Sequence, residues 1–292
     1  MVGRIEELLT LLRLQRSGIP VQVSHFLDEL RTSQKTVERL LGEPLAGKQI
    51  LVVGPGQRLA ELTFFACRNE VTGIDLDVIP QSLSIGDYWR MYSKNGAMRT
   101  LKTVGRKAVG IDRSYQRELA QQLGVKRIPR HNVLAMDATA MTFSDARFDY
   151  VYSHSCFEHL SDPATVIRQV GRVLKPGGVA HIGVHLYTSD NGCHDVRIFA
   201  GKRQGIPYWS HLRSQHKGKI RPNTYLNEIR LEHWDKMFLE SWPGVQFDYQ
   251  RDSNTELVES LGELRRQNEL SEYSDLELLT MDLVVSWKKP LV

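Results

Sequence analysis

Apolar positions in the first forty residues recur three and four apart. Ile5, Leu8, Leu9 and Leu12, then Phe26, Leu27 and Leu30, predict helices from about Ile5 to Leu41. Gly18-Ile19-Pro20 breaks the pattern, and Thr32 or Ser33 is expected to cap a further helix through Val37, Leu40 and Leu41. The period then changes. Gln49-Ile50-Leu51-Val52-Val53 is a short continuous apolar run ending in Gly54-Pro55-Gly56, as a strand buried on both faces does on entering a tight turn. Leu59 to Arg68 reads as a helix, and Val71-Thr72-Gly73-Ile74-Asp75 as a second strand ending in an acid.

The alternation pauses between Leu76 and about Gly110, where Tyr88, Trp89, Met91 and Tyr92 stand among basic residues; this stretch reads as an insertion. It then resumes. Arg113–Leu123 is expected as a helix, Asn132–Met136 and Phe148–Ser153 as strands, and Pro163–Leu174 as a helix closed by Lys175-Pro176-Gly177-Gly178. Val179–Val184 follows as a fifth strand, and Leu186 to Asn223 is loop-rich. Val245–Tyr249, a helix from Thr255 to Arg266, and Leu279–Trp287 complete the pattern. Strands alternating with helices imply an α/β sheet, mostly parallel, with helices on both faces. The expected division is an N-terminal helical extension, 1–46, and an α/β domain, 47–292, with an insertion at about 78–110 and a loop-rich region at about 186–223.

Composition adds little to this picture, but the distribution of charge does. The 292 residues carry a net charge of only +4. Basic residues nevertheless crowd the stretch from Arg90 to Arg130, and Arg197, Lys202, Arg203, Arg213, Lys217, Lys219 and Arg221 form a second run. Such segregation suits an anionic partner, or simply a solvated face. No apolar run is long enough to span a bilayer, and no secretory signal is visible, so no membrane partner is expected. Cys67, Cys156 and Cys193 lack metal-type or redox spacing, which points to a reducing, cytoplasmic compartment.

The glycine turn carries the first chemistry. Gly54-x-Gly56 lets the backbone turn sharply and a ligand approach a helix N-terminus, and Asp75 ends the second strand, where open α/β sheets place an acceptor for ribose hydroxyls. A dinucleotide fingerprint needs a third glycine where this chain has Leu59. Further along come Phe148-Asp149 before Val151-Tyr152-Ser153-His154, then Phe157-Glu158-His159-Leu160, then Val173-Leu174-Lys175-Pro176-Gly177-Gly178. This ordered series resembles the class I S-adenosylmethionine-dependent methyltransferases, in particular the ubiquinone-biosynthesis type and its small-molecule relatives. The resemblance runs from about Gly47 to Val184 and implies a Rossmann-like, seven-stranded sheet bearing an inserted lid.

Under that resemblance, Gly54-Pro55-Gly56-Gln57 lies beneath the methionine part of the cofactor, which leaves as S-adenosylhomocysteine. Asp75 accepts from the ribose with Leu76 beside the adenine, Asp137-Ala138 meets the adenine amino group, and Ser153 and His154 line the cleft near the sulfonium. Two positions depart from the family: Val52 replaces an acid in the first strand, and Arg58 a third glycine, so the methionine amine is left to backbone carbonyls or another acid. Asp112, after Val109-Gly110-Ile111, is a second candidate ribose acid; it reads better as a helix N-cap.

Methyl transfer is an in-line displacement governed by alignment, and a hydroxyl acceptor needs a base. His185 is the candidate base, with His154 orienting cofactor or acceptor; hydrogen-bonded structural histidines are the plainer alternative. His159 reads as structural. His154, Glu158, His185, His194 and Asp195 offer metal-ligand types without a metal spacing, so no metal site is expected. Trp89, Tyr92 and Arg99 in one irregular segment and Tyr208 and Trp209 in the other are candidate contacts for an anionic small-molecule acceptor; alternatively the aromatics anchor the core. The leading expectation is O-methylation of a sugar, aromatic or secondary-metabolite-type hydroxyl. An RNA methyltransferase and a non-catalytic cofactor-binding scaffold are the competing readings. The N-terminal helices are left with three uses: covering the sheet, closing the pocket, or forming a homodimer.

Overall fold

The computed structural model describes residue 13 and residues 16–81, 84–108, 110–203 and 205–291, with the side chains of 98, 99, 102 and 106 outside the description. The elements are α1 (Ile19–Leu41), β1 (Gln49–Val53), α2 (Ala60–Ala66), β2 (Glu70–Asp75), α3 (Ile85–Asn95), α4 (Ala97–Ala108), α5 (Ile111–Leu123), β3 (Asn132–Ala135) and β4 (Phe148–His154). They continue as α6 (Pro163–Val173), β5 (Leu174–His185), α7 (Val196–Phe199), α8 (Leu231–Ser241), β6 (Gln246–Arg251), α9 (Thr255–Arg266), α10 (Asp275–Leu279) and β7 (Thr280–Lys288). The seven strands form one sheet in the order β3-β2-β1-β4-β5-β7-β6. β1 pairs in parallel with β2 and β4, and β2 with β3. β7 runs against β5: Lys289 N–H donates to the Gly178 carbonyl at one end and Leu186 N–H to Met281 at the other. The sheet is therefore mixed, and Rossmann-like in its order.

The chain divides into two compact units. The first comprises the described residues of 16–154, 164–182 and 286–291. Its core gathers Val23, Leu27, Leu30 and Val37 of α1 with Leu62 and Phe65 of α2, Tyr115 and Leu119 of α5, and Ile50, Val52, Tyr150 and Tyr152 on the sheet. Full burial of each such side chain contributes about 1.5–3 kcal/mol. Helix α1 thus covers the sheet, one of the three uses left open for this region; the helix expected around Ile5 to Leu12 lies outside the described residues. It is also one helix throughout. Thr32 Oγ1 donates to the Asp28 carbonyl at 2.9 Å, so it bonds back into the preceding turn instead of capping a new helix. Gly18, with φ +63°, opens α1, and Pro20 sits in the first turn, where its missing N–H is no loss.

Other boundaries move for local reasons. Gly110, with φ +73°, is the N-cap of α5, so Asp112 lies inside the first turn and is not the cap. Residues 85–95 and 97–108, expected only as an irregular stretch, form α3 and α4. Lys175-Pro176-Gly177-Gly178 forms the opening of β5.

The second unit comprises, among the described residues, residue 13, Ser155–Pro163 and Gly183–Val285. Leu257, Leu261 and Leu264 of α9 pack with Leu270, Leu278, Leu279 and Trp209. The segment after His185 is a chain of turns held by buried acids. Asp190 accepts from Trp209 N–H at 2.7 Å and binds Arg203. Asp195 caps α7 and accepts from Arg197 and from Arg221 N–H. No helix among the described residues is long and apolar enough to cross a membrane.

Candidate active site

In the first unit the strand order reverses between β1 and β4, and open α/β sheets take ligands outside the carboxyl ends of the strands at such a point. Val53 ends β1, and Gly54 and Gly56 follow at φ +69° and +62°, a region that only glycine enters without strain. Gly54 N–H donates to the Ile74 carbonyl at 2.9 Å, tying the turn to β2, while a side chain placed at Gly56 would meet nothing within 4 Å. The turn is bound at one end and open at the other. Pro55 is buried under it and Gln57 half-buried beyond.

Asp75 ends β2 and accepts from Asp77 N–H at 2.8 Å; Leu76 beside it is 76% exposed. Asp137 follows β3, its Oδ1 accepting from Thr139 N–H and Oγ1 at 2.8 Å each, with Ala138 buried behind. Ser153 is wholly buried, and its hydroxyl donates to the Val53 carbonyl at 2.8 Å. Ser153 therefore offers no hydroxyl to a cleft; it fastens the end of β4 to the end of β1. His154, half-buried, ends β4 in the same unit.

Val52 stands where the family carries an acid, and it is 1% exposed within the core beneath α1. An ionised carboxylate there would be desolvated at large cost. The acid the sequence reading did not name is Glu61, in the first turn of α2, whose carboxyl burial pushes up to about 7 against the opposing charge of Arg58.

The second unit gathers a different set. His185 is buried, and its Nδ1 lies 3.0 Å from Asp282 Oδ1. Its Nε2 is buried without a hydrogen-bond partner. Burial alone would lower its pKa, but the hydrogen bond and charge of Asp282, with the charge of Glu158, raise it. The His194 ring sits 5.3 Å from that of His185 and 5.0 Å from that of His159. Burial, with His185 and His159 as neighbours, pushes His194 down to about 3. Glu158 is 1% exposed, neither oxygen has a hydrogen-bond partner, and burial pushes its carboxyl up to about 7. His159 Nδ1 lies 2.8 Å from the Tyr225 carbonyl oxygen, and its Nε2 3.9 Å from Glu158 Oε1.

The turn that carries Glu158 and His159 is pinned by Asn227, whose side chain donates to the carbonyls of Phe157 and Leu160. His159, read from sequence as structural, thus belongs to a cluster with Glu158 and His194. No spacing signals it, because its members lie 35 residues apart and are joined only by folding. Asp195, offered with them as a ligand type, is committed to Arg197 and the Arg221 N–H instead.

The acceptor contacts separate. Trp89 and Tyr92 are exposed and stacked on α3 at 5.9 Å in the first unit. The Arg99 side chain lies outside the described residues. Trp209 is wholly buried among the leucines of α9, so it anchors the core of the second unit and is not available to an acceptor. Tyr208 is half-buried; Arg203 covers its ring at 4.0 Å, and its hydroxyl donates to Glu256. Among the cations of the second basic run, Arg197 is paired internally with Asp195, Arg203 with Asp190 and Arg213 with Glu269.

A sheet in this order, with a glycine turn and an acid at its switch point, has the layout in which α/β proteins bind nucleosides. The methyltransferase domain family matches residues 94–182, a span that includes β3, β4 and α6. Over those residues the chain thus carries a match to the methyltransferase domain family. It is similar to the 27-O-demethylrifamycin SV methyltransferase of Amycolatopsis mediterranei (strain S699), 28% identical over 158 residues that make up 53% of this chain and 47% of that one. The chain thus spans about half the length of this curated relative. Among solved structures it is similar to phosphoethanolamine N-methyltransferase 2 of Haemonchus contortus, in complex with S-adenosyl-L-methionine. There the identity is 17% and the TM-score 0.44, over 89% of this chain and 52% of that one. It is also similar to the YcgJ protein of Bacillus subtilis, at 16% identity and a TM-score of 0.41, over 87% and 99%.

The switch point fits the family's cofactor. The open turn at Gly56 leaves room for a bulky ligand, Asp75 offers a carboxylate where a ribose would meet it, and exposed Leu76 offers an apolar face next to it. The turn and Asp75 both precede the matched span, so their assignment rests on geometry.

Proposed function

We propose that this chain transfers a methyl group from S-adenosylmethionine to a hydroxyl of a small organic molecule. The observation that carries the reading is His185, buried, held by Asp282 through Nδ1 and with Nε2 lacking a partner. A histidine donating from Nδ1 to a carboxylate keeps its Nε2 lone pair for a proton, which a hydroxyl acceptor must release. The similarity to a protein named for methylating 27-O-demethylrifamycin SV supports an oxygen acceptor on a small molecule.

When bound, the cofactor supplies an electrophilic methyl carbon. Gly54, Pro55, Gly56 and Gln57 cradle its methionine portion, Asp75 takes the ribose hydroxyls, Leu76 and Asp137-Ala138 flank the adenine, and Glu61 serves the amine in place of the absent acid at Val52. Ser153 positions the end of β1, and His154 stands at the end of β4. In the second unit His185 takes the acceptor's proton and Asp282 stabilises the imidazolium that forms. In the first unit Trp89 and Tyr92 remain the aromatic contacts proposed for the acceptor, with Arg99 for its anionic group. The internal pairing of Arg197, Arg203 and Arg213 weighs against a nucleic-acid substrate, whose phosphates need uncommitted cations.

Calorimetry with S-adenosylmethionine and S-adenosylhomocysteine tests the cofactor half. Both should bind, and Asp75→Ala should weaken each by roughly 10- to 100-fold, the worth of a charge-assisted hydrogen bond. A folded protein that binds neither is a scaffold. A screen of hydroxylated acceptors with labelled methyl donor then tests the rest, and label found only on nitrogen or carbon would remove the O-methylation reading.

A further inference from the structure

We infer that Glu158, His159 and His194 form a binding site for a divalent transition-metal ion. One donor atom from each lies within 4.8 Å of the other two. Glu158 and His159 approach to 3.9 Å, inside the span of roughly 4.2 Å that two bonds of about 2.1 Å to one ion allow. Three further observations point to a ligand.

Glu158 is 1% exposed and neither of its carboxylate oxygens has a partner, although buried polar atoms in folded proteins are almost always satisfied. His194 Nε2 is buried and unpartnered as well. His159 is oriented by a backbone carbonyl on Nδ1, the arrangement by which an outer partner aims the other nitrogen of a histidine at a metal. A single cation would satisfy the orphaned atoms together. Arg197, Arg213 and Arg230 of the same unit are committed to Asp195, Glu269 and Glu277.

Two imidazoles and a carboxylate suit Zn²⁺, Fe²⁺, Co²⁺ or Ni²⁺ rather than Ca²⁺ or Mg²⁺, which favour all-oxygen sets. Three protein donors leave a position for water or another oxygen ligand. The fold holds the donors in place. Asn227 fixes the Glu158-His159 turn through three hydrogen bonds, its own N–H also donating to the Glu158 carbonyl. His194 sits in the left-handed region, φ +52°, at the end of the tight turns that follow β5, and its carbonyl accepts from Asn223 N–H. A non-glycine residue held there is strained, and such strain collects at functional sites.

The inference is independent of the methyl-transfer reading, because the ion is titrated with no cofactor or acceptor present. Full-length protein, stripped with chelator, is titrated with Co²⁺ and followed by its visible absorption, then back-titrated with Zn²⁺. One equivalent of Co²⁺ should bind and be displaced by Zn²⁺. The spectrum should show nitrogen and oxygen ligation without a thiolate charge-transfer band, although Cys156 and Cys193 lie within two residues of the cluster in sequence. His194→Gln and Glu158→Gln should weaken binding by more than the roughly 10- to 100-fold that loss of an outer partner costs. His233→Gln, exposed on α8, should leave it unchanged. Absence of stoichiometric binding, a thiolate band, or full affinity in both cluster variants would each overturn the site. The wild-type stoichiometry and spectrum decide the matter even if a variant fails to fold.

Discussion

His185 shows how one side chain is prepared by its neighbours. Its Nδ1 is committed to Asp282, and the ring is buried. If it is the base, His185→Gln should lower kcat by roughly 10²- to 10⁴-fold while S-adenosylhomocysteine affinity stays the same, as expected of a group that acts only on the acceptor's proton. Asp282→Asn should lower kcat in the same direction, since the amide no longer stabilises the imidazolium. Steady-state kinetics beside calorimetry separates the two quantities, and normal turnover in His185→Gln would return the residue to a structural role. Trp209 teaches the opposite lesson. Its sequence neighbourhood, basic and aromatic, suits a ligand contact, yet the ring fills the leucine core of α9.

The segment after β5 is the element on which the second unit's chemistry hangs. Ser189 N–H donates to Leu186, Gly192 N–H to Ser189 and His194 N–H to Asn191, a run of tight turns that ends on His194. The close packing leaves no space at Gly192, where a Cβ would stand 2.1 Å from the Leu186 carbonyl oxygen and 2.5 Å from that of Tyr187. Backbone cannot yield as a flexible side chain does. Gly192→Ala is expected to cost about 3 kcal/mol or more, at or beyond the upper end of overpacking penalties, and to displace His194. Chemical denaturation measures the loss; a variant of wild-type stability would show that the turn rearranges freely. In the first unit the glycine turn after β1 plays the corresponding part, with Ser153 and the Ile74 carbonyl fastening it from two strands.

Each unit also keeps a buried neutral histidine that sets how the molecule tolerates acid. His181, stacked on Tyr152 and 2.9 Å from Ser286 Oγ, is pushed down to about 4 by burial, helped by His154. His211, 2.7 Å from the Tyr187 carbonyl oxygen, is pushed down to about 4, also by burial. Above pH 6.5 these residues are neutral in both folded and unfolded chains and confer no pH dependence. Below it the unfolded chain takes up protons first, so stability falls as pH drops from about 6.5 toward 4, by on the order of 3 kcal/mol for each histidine. Urea denaturation at pH 7 and pH 5 should show this decline. His181→Gln, which keeps a partner for Ser286, should reduce it; an unchanged pH slope would mean that His181 protonates as readily folded as unfolded.

By itself the sequence determined the alternation of strands and helices, the class of sheet and the resemblance to methyltransferases. These follow from local periodicity and from contiguous motifs such as Gly54-Pro55-Gly56 and Val173 to Gly178, which need no tertiary information to be read. Folding alone decided the rest. Helix α1 was placed on the sheet by burial of Val23, Leu27, Leu30 and Val37, a face that several partners would have satisfied equally. The caps at Gly18 and Gly110 depend on backbone dihedrals that residue type only biases. The second basic run suited an anionic partner or a solvated face in sequence, whereas in the fold Asp190, Asp195 and Glu269 pair with its arginines, Glu269 from 56 residues beyond its partner. The cluster of Glu158, His159 and His194 lies on two loops whose meeting no spacing records. Pairings of that kind are settled by packing and by the cost of leaving buried polar atoms alone, and both are properties of the folded chain.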